Sequence, residues 1–294
     1  MSTKTNHTYA LVIPRFEDIF HSYYSGEVIR GVGVAASRLK VDVLIHITDR
    51  FNHEDWLAGP LNNRDLIDGI LFADINGDVN MLKKVVDSGM PYLVMNNIFM
   101  EPINYIAVDN KTAAKEAVQY LIKLGHERIA TISGDLMTQA GKSRLEGYLE
   151  ALGENHIPAK EEYLTRGEFL RSPARQSARN LLNLKNRPTA VFVASDVMAL
   201  ELMDVAKKMG IKIPQDLSVV GFDDNPLAEY SSVPLSTVSQ PLMEMGRLGL
   251  EHLHQITQGK AELPVKVMLG AKLIVRESCA KLKKSNEDTT YGTR

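Results

Sequence analysis

Short apolar runs alternate with amphipathic stretches along most of this 294-residue chain. The runs have the length of buried strands, and the stretches between them repeat apolar residues at helical spacing. The predicted strands are 9–13, 41–47, 69–72, 92–95, 105–108, 129–133, 190–194, 219–222, 265–269 and 273–275. The predicted helices are 26–39, 79–88, 111–124, 142–152, 174–184, 197–209 and 241–258. This alternation predicts an α/β fold with doubly wound parallel sheets.

The length of the chain suits two subdomains better than one. We place three crossings between them: after residue 108, near Gln240, and at 270–272. The N-terminal subdomain would then comprise 9–108 plus 241–270, and the C-terminal subdomain 109–240 plus 271–280. Residues 281–294 are polar and are expected to form a disordered tail.

Composition excludes several classes of protein. The formal net charge is −2, without the basic excess of a free-standing nucleic-acid binder. The basic cluster Lys281, Lys283 and Lys284 is interpreted as part of a solvated tail. A single cysteine, Cys279, excludes an internal disulfide and a Cys-pair zinc site. Residues 1–8 lack the apolar core of a signal peptide, and no apolar run could span a membrane, so we expect a cytoplasmic protein.

Polar side chains follow the predicted strands at the point where each strand ends. Ligands of open parallel sheets bind beyond these carboxyl ends. Helix capping is the competing interpretation, because short polar side chains favour the N-cap. We favour capping for Asp196 and Asn110, and both interpretations stay open for Asp223. The polar residues at this edge are Asp74, Asn76, Asn96, Asn97, Asp135, Ser195, Asp196, Asp223, Asp224 and Asn225.

Catalytic and metal-binding motifs find no positive support. Residues 140–143 (AGKS) resemble the end of a phosphate-binding loop, but Leu136 occupies its first glycine position. Asp223 and Asp224 are adjacent and should point apart, so they predict no carboxylate dyad. The histidines show no metal-ligand spacing. We therefore expect no enzyme, no metal and no cofactor.

Arg144 lies in the first turn of the predicted helix 142–152, beside its apolar stripe. An ordinary surface arginine is the simpler interpretation. A guanidinium fixed near the strand ends could instead donate two parallel hydrogen bonds to vicinal hydroxyls or to a carboxylate.

Six segments, in order, resemble the lactose-repressor/galactose-repressor (LacI/GalR) family of transcription regulators. They are 125–134 (GHERIATISG), 144–148 (RLEGY), 194–199 (ASDVMA), 213–224 (IPQDLSVVGFDD), 234–240 (PLSTVSQ) and 275–279 (VRESC). The resemblance runs from about Tyr9 to Cys279. It implies a type I periplasmic-binding-protein-like core, whose two subdomains are joined by three crossing strands and hold a small polar ligand in the cleft between them. We expect that ligand to be a sugar, with a nucleobase as the alternative.

The resemblance implies a role for each matching residue. Arg144 would be the main ligand-binding arginine, and Asp223 would accept protons from ligand hydroxyls. Gln240 would touch the ligand from a crossing strand, and Phe169 would stack on it. Ser195 stands where the family often carries a ligand-binding Asn.

Three further residues complete the predicted ligand set. Asn96 stands at a position that often contacts ligand, and Asp74 comes from the strand-end pattern. The family usually has "NPF" after its first strand. In this chain the segment that follows the first strand, residues 14–26, is longer than in the family. Tyr24 lies in the stretch nearest to the NPF position and is therefore included, with Phe16, Asp18 and Ser22 as other candidates.

The family's DNA-binding headpiece and hinge need about 60 residues before the core, and only eight precede Tyr9. We therefore expect DNA binding only through a headpiece that this chain lacks, either because it is a truncated regulator or because it is a natural sensor without a headpiece. The predicted function is the effector-sensing core of a regulator, in which ligand closes the halves and shifts a homodimer interface that includes helix 26–39. The alternative is a solute-binding protein of a sugar transport system, which shares the fold.

Overall fold

The computed structural model describes residues 7–14, 22–48, 61, 63–75 and 79–282. The first sheet has the strand order β11-β5-β4-β3-β1-β2, and all its described pairs are parallel. Its strands are β1 (Thr8–Pro14), β2 (Asp42–Thr48), β3 (Gly69–Phe72), β4 (Tyr92–Met95), β5 (Tyr105–Val108) and β11 (Lys266–Leu269). Helices α1 (Tyr23–Leu39), α2 (Val79–Asp87) and α8 (Leu242–Thr257) belong with this sheet.

The second sheet has the order β12-β10-β9-β8-β6-β7. Its strands are β6 (Ile129–Ser133), β7 (Leu164–Arg166), β8 (Ala190–Val193), β9 (Ser218–Asp223), β10 (Ser236–Ser239) and β12 (Lys272–Ile274). Its helices are α3 (Asn110–Lys123), α4 (Gln139–Glu154), α5 (Arg171–Leu182), α6 (Asp196–Lys208) and the short α7 (Pro226–Glu229). The chain passes between the sheets after β5, after β10 and after β11. The predicted α/β class with three crossings is confirmed, with one antiparallel pair, β10–β12.

Helices cover both faces of the central strands, which explains why β3, β4, β5 and β8 read as continuous apolar runs. On one face of the first sheet, α1 and α8 cross closely enough that both contact points are glycines. A Cβ atom at Gly31 would lie 1.9 Å from the Met243 carbonyl oxygen, and one at Gly246 would lie 2.4 Å from that of Val28. This close packing of α1 on α8 fixes α1 beside the segment in which the chain passes between the sheets after β10.

The pattern of apolar runs did not predict two strands, β7 and β10. Both are short, and β10 reads Ser-Thr-Val-Ser, so neither shows an apolar run. Helix α4 begins at Gln139, three residues before its predicted start, because Thr138 accepts a hydrogen bond from the Gly141 amide and caps it.

The two favoured capping assignments are wrong by one residue. Ser195 caps α6 by accepting a bond from the Met198 amide, and Asp109 caps α3. The N-cap residue has extended backbone, so it lies one position before the first helical residue. Asp196 and Asn110 are therefore free to bond elsewhere. Asn225 caps α7, which leaves the Asp223 carboxylate to other partners.

Among the described residues, no helix combines the length and the apolar character needed to cross a bilayer. Several predictions fall on residues outside the described ranges. These are the contacts assigned to Phe16, Asp18 and Asn76, and the tail from residue 283 onward.

Candidate functional site

A cavity of about 170 Å³ lies between the two sheets. The start of α1 and the ends of β3 and β4 line one side, and loops and helix starts of the second sheet line the other. Seven of the eight predicted ligand residues line it, and the eighth, Gln240, reaches it through Asp223. The lining residues are Ser22, Tyr23, Tyr24, Asp74, Asn96, Thr138, Ala140, Arg144, Phe169, Arg171, Ser195, Val197 and Asp223.

Arg144 is buried, so the surface-arginine interpretation is wrong; its side chain is 5% exposed. Its Nε donates to Asn110 Oδ1 at 2.8 Å, and its Nη1 donates to the Ala194 carbonyl at 2.6 Å. The guanidinium carbon lies 3.8 Å from the centre of the Phe222 ring, a cation–π contact. These contacts hold the guanidinium in one orientation at the floor of the cavity.

Asp223 faces Arg144 across the second sheet's edge. Its Oδ1 accepts from Gln240 Nε2 at 2.7 Å and lies 3.4 Å from Arg144 Nη1. Burial raises the pKa of this carboxyl to about 6, although Arg144 and Gln240 both favour the ionised form. The backbone of Asp223 has φ +117° and that of Asp224 has φ +60°, in the left-handed region that disfavours side chains. Such strain persists only where surrounding contacts hold it.

Asp196 supplies those contacts from beneath the site. It is fully buried and accepts from the Asn225 amide at 2.7 Å and from Thr237 Oγ1 at 2.6 Å. Burial and the neighbouring Asp223 carboxylate raise the pKa of Asp196 well above its ordinary value. A Cβ atom at Gly221 would lie 2.2 Å from Asp196 Oδ1, so this position of β9 excludes any larger residue. Asp196 thus ties the 223–225 turn to β10.

On the first-sheet side, Asn96 and Asp74 meet. Asn96 Nδ2 donates to Asp74 Oδ2 at 3.3 Å, and Asn96 has φ +61°. Asn96 Oδ1 is buried and makes no hydrogen bond within the described chain. The Tyr24 hydroxyl donates to the Ala73 carbonyl, and burial raises the Tyr24 pKa well above its ordinary value, so the phenol stays neutral.

Phe169 and Ser195 both line the second-sheet side of the cavity. The Phe169 ring packs directly over Gly134, where a Cβ atom would lie 2.1 Å from the ring. Its centre is 5.6 Å from the Arg144 guanidinium carbon. Ser195 Oγ accepts the Met198 amide at 3.4 Å, so its hydroxyl serves as a helix cap as well as a cavity wall.

Sequence reasoning missed Thr138 and Arg171 as lining residues. Arg171 is the first residue of α5 and lies 3.7 Å from Glu201, which also binds Arg175. Thr138 precedes Gln139 in a loop without a recognisable pattern. The available signal in the sequence was closeness to predicted residues, since Arg171 lies shortly after Phe169 and Thr138 lies shortly before Arg144. Within the described ranges, no group of three or more His, Cys, Asp or Glu side chains is placed to hold a metal ion.

The comparisons with known proteins agree with one another. A family described as a periplasmic binding protein-like domain matches residues 118–279. The HTH-type transcriptional regulator DegA of Bacillus subtilis is 31% identical over 286 residues, covering 96% of this chain and 83% of DegA. The HTH-type transcriptional repressor CytR of Escherichia coli is 34% identical over 275 residues, covering 92% and 79% of the two chains.

A solved structure shows the same fold. The transcriptional regulator CelR, in a complex with cellobiose, superimposes with a TM-score of 0.85 at 32% identity, covering 93% of this chain and 85% of that one. The relatives are regulators of transcription, which favours the predicted regulator over the transport alternative and over an enzyme. The six motifs, the fold and these relatives agree, and the chain belongs to the LacI family of transcription regulators.

Proposed function

We propose that this chain is the effector-sensing core of its regulator and binds a sugar in the cavity between the two sheets. The observation that carries the proposal is the fixed pair of Arg144 and Asp223 with Gln240 behind it. A guanidinium and a carboxylate held side by side offer donors and acceptors to vicinal hydroxyls. Arg144 Nη2 makes no hydrogen bond within the described residues, so its two N–H groups can serve a ligand.

The opposite wall supports the same ligand class. Asn96 Oδ1 is a buried acceptor that needs a donor, and a sugar hydroxyl supplies one. The Phe169 ring offers an apolar face to the carbon skeleton of a sugar. The cavity contains two carboxylates and two guanidinium groups, from Asp74, Asp223, Arg144 and Arg171, so its formal charge balances and suits a neutral ligand. The relative CelR was solved with cellobiose, a neutral disaccharide.

The proposal includes the subdomain boundaries 9–108 plus 241–270 and 109–240 plus 271–280. Strands β1–β5 and β11 come from the first set and the others from the second, which supports the division. Ligand bound between the two subdomains would favour their closed arrangement and so change the regulator's affinity for DNA. Because its relatives act on transcription, we place the chain in the cytoplasm and assign it no catalytic role.

We also propose a homodimer through α1 and β2. Among the described strands, β2 is the last in the order of its sheet and so lies at its edge. Val34 on α1 and Ile45 and Ile47 on β2 are 47%, 43% and 44% exposed. A second copy of this chain would cover these apolar side chains.

A panel of mono- and disaccharides, including cellobiose, tests the proposed ligand class by thermal shift and then by calorimetry. A sugar at a hundredfold excess over its Kd should stabilise the chain by about 2.7 kcal/mol and raise Tm by about 5 °C. Asp223→Asn should weaken binding of that sugar, whereas Gln176→Ala on the exposed face of α5 should not. A sugar that binds both variants like the parent would contradict this placement of the site, and a panel without any binder would contradict the ligand class.

A further inference from the structure

The side chain of Gln139 joins the two halves of the molecule. Its Oε1 accepts from the Ile98 amide at 2.6 Å, and its Nε2 donates to the Ile98 carbonyl at 2.9 Å. Gln139 is the first residue of α4, on the second-sheet side, and Ile98 lies just after β4 of the first sheet. One amide group therefore satisfies both main-chain groups of a single residue across the cleft.

The backbone that presents this amide is held in place. Thr138 caps α4 by accepting from the Gly141 amide at 3.0 Å, and its own hydroxyl donates to the Asp135 carbonyl at 2.7 Å. A Cβ atom at Gly141 would lie 2.0 Å from that same carbonyl oxygen, so the first turn of α4 packs tightly on the loop. The Gln139 side chain thus extends from a rigid base.

The bridge connects the two elements that carry facing polar groups of the cavity. Asn96 lies two residues before Ile98, and Arg144 lies five residues after Gln139 on the same helix. A second contact between the halves, from the Tyr23 hydroxyl to the Asp224 carbonyl at 3.2 Å, lies beside Asp223. The Gln139 bridge has two hydrogen bonds where this second contact has one.

We propose that Gln139 is a positioning residue that latches the cleft closed and thereby sets the spacing of Asn96 and Arg144. Its two hydrogen bonds should favour the closed arrangement by about tenfold over the open one. A latch of this kind would let the free protein sample the closed cleft, so that less of the ligand's binding free energy is spent on closure. Gln139 and Ile98 bond to each other directly, so the latch can be tested without a ligand, whether or not the cavity binds a sugar.

Distances between spin labels on the two halves test the latch in the full chain. Lys84→Cys on α2 and Lys207→Cys on α6 place labels at exposed positions, in a Cys279→Ala background. Gln139→Ala should shift the label distances from one dominant population to two populations of comparable size. Gln139→Glu keeps an acceptor for the Ile98 amide but sets a carboxylate oxygen against the Ile98 carbonyl, so it should also populate the second label distance.

Gln176→Ala is the matched control, because within the described residues the Gln176 side chain bonds only to Asn180 Oδ1 of its own helix. Its label distances should equal those of the parent. A merely structural glutamine would lower the unfolding temperature without changing the distance distribution of the folded protein. If both Gln139 variants keep the parent distribution, the latch is refuted; if Gln139→Ala fails to fold, Gln139→Glu alone decides.

Discussion

Asp223→Asn should make the protein more stable while weakening its binding of sugar. The Asp223 carboxyl has a pKa of about 6 in the folded chain, raised from 3.8 mainly by burial. Each pKa unit corresponds to about 1.36 kcal/mol, so keeping this group ionised costs about 3 kcal/mol of folding free energy near pH 7.5. Asparagine has nearly the same shape and carries no charge. The variant should therefore gain up to about 3 kcal/mol in free energy of unfolding at that pH.

The gain should depend on pH in a defined direction. A folded-state pKa above the unfolded value means that the folded protein binds the proton more tightly between the two values. The stability that this group contributes is thus present below the unfolded pKa and is lost as pH rises through about 6. Near pH 5 the parent recovers roughly half of the cost, so the advantage of Asp223→Asn should shrink by about half.

Urea unfolding of parent and variant near pH 5 and pH 7.5 measures this difference. Asp204→Asn is the control, because Asp204 is an exposed carboxylate whose pKa is lowered by its bond to Lys208. It stays ionised across this range, so its effect should not change between the two pH values. A variant Asp223→Asn that is less stable than the parent near pH 7.5 would refute the argument that burial dominates at this site.

Sugar binding should respond in the opposite sense. Loss of a charged acceptor costs about 1.5–3 kcal/mol, which corresponds to a roughly 10- to 100-fold weaker Kd for Asp223→Asn. The parent should itself bind about tenfold more weakly near pH 5 than near pH 7.5, because most Asp223 is then protonated. Calorimetry of the variant should show a nearly flat pH profile. A parent profile that is equally flat would count against a role for the carboxylate.

Three further substitutions test the Asp196 anchor, the Phe169 ring and the α1–β2 surface. Gly221→Ala should destabilise the fold by more than about 2 kcal/mol in urea unfolding, because the new Cβ atom would lie 2.2 Å from Asp196 Oδ1; parent-like stability would show that Asp196 is not a fixed anchor. Phe169→Ala should weaken sugar binding by about tenfold in calorimetry, and parent-like affinity would show that the ring does not contact the sugar. Ile45→Lys should convert the dimer to a monomer in sedimentation at about 10–50 μM, and a persistent dimer would exclude the α1–β2 surface.

Periodicity alone was sufficient for most of the fold, because buried central strands and amphipathic helices have strong local patterns. β7 and β10 escaped detection because each is short and shows no continuous apolar run, and their place in the sheet depends on pairing with distant strands. The capping assignments failed by one residue because a pattern of polar residues does not reveal where the backbone turns helical. Ser195 and Asp196 show this, since only one of two adjacent polar residues can be the cap.

The candidate site, like the fold, could be predicted from the sequence only in part. Arg144 and Asp223 stand in segments that resemble a family, so the sequence could name them as candidates. It could not predict that Arg144 is buried against Phe222, because that contact depends on a strand 78 residues away along the chain. The role of Asp196 was also hidden, since its partner Thr237 is 41 residues distant.

A crystal structure of the chain with the sugar that produces the largest thermal shift would show where that sugar binds. We expect electron density between the two sheets, with sugar hydroxyls at hydrogen-bond distance, about 2.7–3.2 Å, from the Arg144 guanidinium and the Asp223 carboxylate. The Phe169 ring should lie against the sugar's carbon skeleton, and Asn96 Oδ1 should accept from a hydroxyl. Density for the sugar outside this cavity, or within it but without contact to Arg144 or Asp223, would contradict the account.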